Sequence, residues 1–236
     1  MRKIARRLRR ILSRDRDQLA LGAVRFGDLA RTVPVSECYG YDRGQPIDRY
    51  YIEKFLFSAA ADIRRRVLEI GDNTYTVTFG GGRVLQSDIL HVDASNPKAT
   101  LVGDLCDTSV LPDNAFDCII LTQTLQLIFD MPAAISTLAR SLKPSGVLLI
   151  TVPGITPILG HWSGSWYWSL TGVSLARLLA INFDPRDISV ATYGNVFSAV
   201  CFLEGLAVSE VQTRKLDVND AAFPVIVAAR AVKRAE

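Results

Sequence analysis

The sequence has no long apolar segment. No stretch of 18 or more uninterrupted apolar residues occurs in its 236 residues, which argues against a membrane-spanning helix. The first residues are basic, but the apolar region of a secretory signal does not follow them, so we expect no signal peptide. These two absences exclude the usual sequence features of integral membrane and secreted proteins.

Cysteine and histidine are also scarce. The four cysteines form no Cys-x-x-Cys motif and no Cys/His pair, so we predict no zinc or other metal site. One of them, Cys118, lies inside an apolar run, where a buried free thiol is expected. Free thiols are typical of reducing compartments, and the sequence therefore predicts a cytoplasmic location.

Charge is abundant but unevenly placed. The net charge of +3 combines +7 in residues 1–16, from eight Arg or Lys and one Asp, with −4 in the remainder. Residues 1–16 also place Ile4, Leu8, Ile11 and Leu12 on one side of a predicted helix. This helix is interpreted either as an attachment to an anionic membrane surface or to an acidic partner such as a glycosyltransferase, or as a solvated helix packed on its own domain. No second basic patch follows, so we predict no nucleic-acid partner.

Five short apolar runs in the centre of the chain predict buried strands, each ending on polar or turn residues. Carboxyl ends of parallel strands meet at one edge of a sheet, and α/β folds bind ligands there. Helices are expected between and after the strands, and two further strands near the end of the chain. The strands are residues 67–71, 89–92, 100–102, 116–121, 147–152, 188–191 and 223–232, and the helices are residues 47–61, 132–142, 172–182 and 195–206.

This pattern predicts an α/β fold. We expect a Rossmann-like, seven-stranded, mostly parallel sheet with helices on both faces, together with an N-terminal helical extension. Residues 1–46 form the basic arm and an irregular, glycine- and proline-containing lid, and residues 47–236 form the domain. Polar and aromatic residues crowd the start of that domain, where they form either a salt-bridged cap over the sheet edge or a lid that offers Arg49 and Tyr50 to a ligand.

The order of motifs resembles the class I S-adenosyl-L-methionine (SAM)-dependent methyltransferases. The first strand ends with Glu69 and Gly71, as the acidic residue and glycine of that family do. Residues 111–117 match its LP…FD segment, and residues 142–146 match its LKPGG segment with serine at the fourth position. The resemblance runs from residue 67 to residue 152 and extends plausibly to the end of the chain.

The resemblance implies SAM as the cofactor and assigns residues to it. Asp93 corresponds to the acid that accepts hydrogen bonds from the ribose hydroxyls, with a helix-cap or turn role as the alternative. Asp104 corresponds to the acid beside the adenine amino group, although an aspartate after a glycine also suits a plain turn. Leu105 would pack on the adenine ring, and Gln123 would lie beside the methionine part of SAM.

The glycine loop departs from the family. Only Gly71 remains of three expected glycines, so either a rebuilt loop holds SAM with the help of Asp72 or Tyr75, or the site has lost SAM. We favour the rebuilt loop because the other cofactor positions remain. Residues 76–82 are β-branched and glycine-rich, which makes the usual helix after this loop doubtful. This segment and residues 46–56 resemble type 11-like methyltransferases from bacterial cell-envelope polysaccharide loci.

All three tryptophans, Trp162, Trp166 and Trp168, lie within seven residues after the fifth strand. Indole rings at the ligand edge suit a platform for a sugar or aromatic ring, and the alternative is a hydrophobic plug or a dimer contact. His161 lies beside them and is the leading candidate for a catalytic base, with Asp130 as the other.

These observations lead to a hypothesis of function. We expect a SAM-dependent O-methyltransferase that acts on a hydroxyl of a sugar or glycan, in the cytoplasm and peripherally at the inner face of a membrane. The alternatives are an O- or N-methyltransferase for a small molecule and a non-catalytic scaffold with this fold. The two missing glycines of the cofactor loop are the reason for retaining the non-catalytic scaffold as an alternative.

Overall fold

The computed structural model describes residues 19–235, and it describes His161 by its backbone alone. The chain forms two units, Met1–Val33 and Pro34–Glu236. The described part of the first unit contains a 3-10 turn, Gly27–Ala30, with exposed residues. The basic helix predicted for residues 1–16 lies outside the described residues.

The second unit is built on a seven-stranded sheet in the order β3-β2-β1-β4-β5-β7-β6. The first five strands run parallel to their neighbours, and β7 pairs antiparallel with both β5 and β6. This confirms the predicted seven-stranded, mostly parallel sheet. The strands are β1 (Arg65–Ile70), β2 (Val84–His91), β3 (Leu101–Val102), β4 (Phe116–Thr122), β5 (Leu142–Pro153), β6 (Ile188–Tyr193) and β7 (Ile226–Val232).

Buried apolar clusters cover both faces of the sheet. Successive side chains of a strand point to opposite faces, so one strand contributes residues to both clusters. In β4, Cys118 and Ile120 belong to one buried apolar cluster, and Ile119 and Leu121 belong to the other. The first cluster includes residues of α1 and α4, and the second includes residues of α2 and α3. The helices are α1 (Ile47–Ser58), α2 (Met131–Ser141), α3 (Gly172–Leu179), α4 (Val196–Leu203) and α5 (Thr213–Leu216).

Polar side chains fix where the helices begin. Thr171 and Asn195 form capping boxes at the start of α3 and α4, and Asp130 caps α2 by accepting the Ala133 N–H at 3.1 Å. Helix α4 ends three residues before its predicted end, because Gly205 takes a left-handed φ of +71°. A Cβ on Gly205 would lie 2.4 Å from the carbonyl oxygen of Ser36, so only glycine fits that turn.

Two further properties concern the described residues as a whole. No helix among them combines the length and hydropathy needed to span a bilayer. Cys118 is a free, fully buried thiol, as expected from the sequence.

Candidate active site

Four turns at the carboxyl edge of the sheet bring the predicted cofactor residues to one side of the domain. Gly71 follows β1, Asp93 follows β2, Asp104 follows β3 and Gln123 follows β4. Three of these turns use left-handed backbone, with φ of +92° at Gly71, +150° at Gly103 and +50° at Gln123. The neighbouring parallel strands place these turns side by side, as the sequence predicts.

Glu69, the acidic residue near the end of β1, organises the loop that replaces the glycine-rich one. Its side chain is buried and accepts three hydrogen bonds, from the Tyr75 N–H at 3.2 Å and from the N–H and hydroxyl of Thr76 at 2.7 Å each. Burial raises the pKa of Glu69 to about 7, although the hydrogen bonds from Thr76 and Tyr75 act in the opposite direction. Hydrogen bonds to the Glu69 carboxylate therefore determine the conformation of this loop, whereas backbone flexibility would do so in a glycine-rich loop.

The rest of this loop is held by its own side chains. Asp72 accepts the Thr74 N–H at 2.8 Å, and the ring of Tyr75 stacks on Phe79 with 6.1 Å between centroids. A π-helix at Thr76–Gly80 and a 3-10 turn at Gly81–Arg83 follow. The usual α-helix is therefore replaced here by a wider π-helix and a tighter 3-10 turn. The β-branched and glycine-rich composition of residues 76–82 predicts this absence of an α-helix.

A cavity of about 490 Å³ opens beside this loop; we call it the loop cavity. A Cβ added to Gly71 would meet no atom within 4 Å, so the backbone itself is accessible to a ligand. The side-chain nitrogen Nε2 of Gln123 is buried without a hydrogen-bond partner. The residues that line the loop cavity include Arg49, Glu69, Gly71, Asp72, Tyr75 and Gln123.

A second cavity of about 320 Å³, the edge cavity, lies over the ends of β1, β2 and β3. Its lining is mostly apolar and includes Ile70, Leu90 and Leu105. Asp104 also lines it, with its carboxylate accepting the Cys106 N–H at 2.8 Å. Flat apolar walls beside one carboxylate suit a purine ring with an amino group.

Asp93 lies next to Val92, which lines the edge cavity. Its carboxylate accepts the Ser95 N–H at 2.9 Å and lies 3.2 Å from Nδ1 of His91. Hydrogen bonds from Ser95 lower the pKa of Asp93, so the carboxylate is charged at neutral pH. The side chain is 64% exposed, which leaves oxygen lone pairs accessible to a ligand.

A third cavity, of about 220 Å³, adjoins the loop cavity and shares Tyr41, Arg49 and Gln123 with it. We call it the amide cavity, because three buried polar atoms on its lining residues have no hydrogen-bond partner. These atoms are Nε2 of Gln123, Oε1 of Gln126 and Nε1 of Trp166. Buried polar groups in native proteins almost always have a partner, so these three atoms have hydrogen-bonding capacity that water or a polar ligand would satisfy.

Asp48 and Arg49 also line the amide cavity, and the sequence predicted a ligand role for Arg49 but not for Asp48. Asp48 is 8% exposed, and its carboxylate accepts the Arg49 N–H at 2.7 Å. Burial raises the pKa of Asp48, and the neighbouring charge of Arg49 acts against that rise. Arg49 in turn donates from Nε to the Tyr41 hydroxyl at 2.6 Å. In the sequence, Asp48 looked like an ordinary acidic residue in the first turn of a helix.

A fourth cavity, of about 580 Å³, shares Tyr39, Tyr41 and Trp162 with the amide cavity. We call it the apolar cavity, since aromatic rings and Leu159 make up much of its lining. The Leu159 N–H donates to the Tyr39 hydroxyl at 3.3 Å and joins the segment before α1 to the tryptophan loop.

The predicted acceptor-binding residues fall into two groups. Trp162, Trp166 and Arg49 line the amide cavity. Trp168 and Tyr50 line none of the four cavities: Trp168 donates from Nε1 to the Ile128 carbonyl at 3.1 Å, and the Tyr50 hydroxyl donates to Asp217 at 2.7 Å. Both side chains thus make protein contacts outside the cavities.

The two predicted bases have different positions. Asp130 caps α2 and is exposed, with its carboxylate turned to the helix N–H groups. The backbone of His161 lies in the 3-10 turn Gly160–Trp162, and its side chain is outside the described part of the structure. Within residues 19–235, no group of three His, Cys, Asp or Glu side chains is placed to hold a metal ion.

Comparison with known proteins finds one domain match and several solved structures with a similar fold. Residues 75–150 match the family described as a methyltransferase domain. Comparison with curated proteins finds no match. Among solved structures, the chain is similar to a SAM-dependent methyltransferase from Archaeoglobus fulgidus, with 14% identity, a TM-score of 0.54, and coverage of 78% of this chain and 94% of that one.

Two other solved structures share the fold. One is the plantazolicin methyltransferase BamL in complex with a desmethylPZN analog and SAH, with 13% identity, a TM-score of 0.51, and coverage of 85% and 90%. The other is the [4+2]-cyclase SpnF, with 17% identity, a TM-score of 0.50, and coverage of 80% and 82%. The match to a methyltransferase domain supports an enzyme that uses SAM as its cofactor, and the solved structures show that the chain shares their fold.

Proposed function

We propose that this SAM-dependent methyltransferase transfers a methyl group to a hydroxyl of a sugar or glycan. The observation on which the proposal rests is the amide cavity, where Gln123, Gln126 and Trp166 each have a buried polar atom without a partner. A hydroxyl can donate to the oxygen of Gln126 and accept from the nitrogens of Gln123 and Trp166. A sugar ring offers several hydroxyls on a small frame and an apolar face for the indole of Trp162.

The residues present fit SAM. The accessible backbone at Gly71 and the buried amide of Gln123 suit its methionine part, and the edge cavity with Leu105 and Asp104 suits its adenine ring. The exposed carboxylate of Asp93 is available to the ribose hydroxyls. When bound, SAM supplies an electrophilic methyl group, and the protein must align the acceptor oxygen with it and exclude water.

Asp48 is the base that the geometry favours. It lies in the amide cavity, and burial raises its pKa towards the range in which a carboxylate removes a proton effectively. In our proposal the acceptor oxygen would bond to the methyl carbon as the methyl–sulfur bond of SAM breaks and leaves S-adenosylhomocysteine, and the Asp48 carboxylate would take the hydroxyl proton. Asp130 and His161 stay as predicted bases; of the two, Asp130 is already committed to capping α2.

A second candidate is methyl transfer to a small molecule with an aromatic ring. The tyrosine and tryptophan side chains around the apolar cavity favour it, because such rings stack well on an aromatic acceptor. The proposed attachment of residues 1–16 to an anionic membrane surface or a glycosyltransferase suits the sugar acceptor better, as does the likeness to methyltransferases of polysaccharide loci.

The first experiment is calorimetric titration of the protein with SAM and with S-adenosylhomocysteine (SAH). We expect micromolar binding that Asp93→Ala weakens. Methyl-labelled SAM is then incubated with panels of glycosides, phenols and amines, and transfer to a glycoside would support the proposal. Transfer to phenols or amines alone would favour the second candidate. A folded protein that binds neither SAM nor SAH would overturn both and favour a scaffold.

A further inference from the structure

We propose that the apolar cavity is a second acceptor subsite, which binds an apolar aglycone attached to the methylated sugar. This inference rests on the proposed function and makes the substrate class narrower: an amphipathic glycoside. It predicts that the sugar occupies the amide cavity while the alkyl or aryl group at its other end occupies the apolar cavity.

The first argument is continuity. The two cavities share Tyr39, Tyr41 and Trp162, so one molecule can occupy both. The amide cavity, at about 220 Å³, is small for a ligand site by itself, whereas together with the 580 Å³ of the apolar cavity it lies within the usual range of about 300–1,000 Å³. A sugar in the amide cavity would therefore lie next to the apolar cavity, and a group attached to the sugar could extend into it.

The second argument is the contrast in chemistry. The three unpartnered polar atoms belong to residues of the amide cavity, and none of them belongs to a residue of the apolar cavity. Among the side chains that the structure describes, one charged residue lines the apolar cavity, Glu37, and it is exposed to solvent. Transfer of an apolar group from water into such surroundings is favourable and requires no new hydrogen bonds.

The third argument is that the wall between the cavities is fixed. Tyr39 has a left-handed φ of +57°, its hydroxyl accepts the Leu159 N–H at 3.3 Å, and its ring lies 6.3 Å from that of Phe202. The adjacent Gly40 packs directly against the backbone of Gly205, where a Cβ would lie 2.9 Å from an oxygen. Strained positions held by several contacts are typical of ligand-binding walls.

The chain offers a direct assay for this subsite. All its tryptophans lie in residues 162–168, so intrinsic tryptophan fluorescence reports on this loop alone. The protein is titrated with methyl β-glucoside and with octyl β-glucoside below its critical micelle concentration. We expect the octyl glucoside to bind at least about tenfold more tightly, which burial of about two methylene groups accounts for.

A pair of neighbouring variants tests the location. Leu159→Asp places a charge on the lining of the apolar cavity and is expected to remove the preference for the octyl glucoside. Ile158→Asp is the matched control, because Ile158 is 49% exposed and lines none of the four cavities. It should leave both affinities unchanged.

Three outcomes would overturn the subsite: equal affinity for the two glucosides, no binding of either, or a preference that Leu159→Asp does not change, which would indicate detergent adsorbed elsewhere. Titration of the same samples with SAM separates this result from the proposed function. Protein that binds SAM and shows no octyl preference loses the subsite and keeps the methyltransferase proposal. Protein that prefers the octyl glucoside without binding SAM keeps the subsite and loses the proposed function.

Discussion

Glu69→Gln should change how the stability of the protein depends on pH. In the wild type, Glu69 is buried and burial raises its pKa to about 7, from an ordinary value of 4.5. A carboxyl group with a raised pKa contributes stability that is fully present below pH 4.5 and is lost as pH rises through about 7. Glutamine does not titrate, so this part of the pH dependence disappears in the variant.

The magnitude follows from the two pKa values. The difference between about 7 in the folded protein and 4.5 in the unfolded chain corresponds to roughly 3 kcal/mol of unfolding free energy. The variant also loses an acceptor, because one amide oxygen replaces two carboxylate oxygens that face the Tyr75 and Thr76 donors. An unpartnered buried donor costs about 1–3 kcal/mol at any pH. The stability difference between wild type and variant should therefore shrink by roughly 3 kcal/mol between pH 4.5 and pH 7.5.

Urea denaturation of both proteins, followed by tryptophan fluorescence at several pH values, measures this difference. Glu37→Gln is a suitable control because Glu37 is exposed and should leave the pH dependence of the wild type intact. A difference between wild type and Glu69→Gln that stays constant over this pH range would refute the argument that burial raises the pKa of Glu69 in the folded protein.

Three further variants test the site. Asp93→Ala should weaken SAM and SAH binding about tenfold or more in calorimetry, since charge-assisted hydrogen bonds to hydroxyls are worth about 1.5–3 kcal/mol, and unchanged affinity would remove Asp93 from the cofactor site. Gln123→Asn tolerates the left-handed φ of +50° but shortens the side chain, so ligand affinity should fall while thermal stability is retained. A matching loss of thermal stability would instead indicate that the Gln123 amide has a structural role. Asp48→Asn should lower kcat about 100-fold or more and remove the acidic limb of the pH–rate profile with SAM affinity unchanged, whereas a normal profile would exclude Asp48 as the base.

The fold was predictable because its strands are short apolar runs that end in turn residues. The errors lie where strands are only partly buried, because both β2 and β5 begin five residues before the predicted run. Strand β2 begins at Val84, five residues before the predicted run, because Leu85, Gln86 and Ser87 are exposed or half-exposed and break the apolar pattern. Their pairing with β1 is a property of the neighbouring strand, so no local pattern indicates it.

The positions of the predicted cofactor residues follow from the strands for a related reason. Gly71, Asp93, Asp104 and Gln123 each lie one or two residues after a strand, so the strand assignment places them at the ligand edge. The rebuilt loop was predictable only as a departure from the family. Its support from Glu69 depends on a side chain that reaches six and seven residues along the chain, which a motif does not show.

The proposed acceptor side could be predicted only in part: the sequence indicated Arg49, Trp162 and Trp166, whereas the amide cavity itself exists only after the sheet has formed. Asp48 comes from the first helix, Gln123 and Gln126 from the turn after β4, and Trp166 from the loop after β5. In the sequence each has an ordinary explanation: a helix-start acid, polar turn residues and a hydrophobic plug. Only their meeting in one cavity leaves three buried polar atoms without partners beside a buried carboxylate. These three atoms have unused hydrogen-bonding capacity, which the hydroxyl groups of a sugar bound in the amide cavity would satisfy.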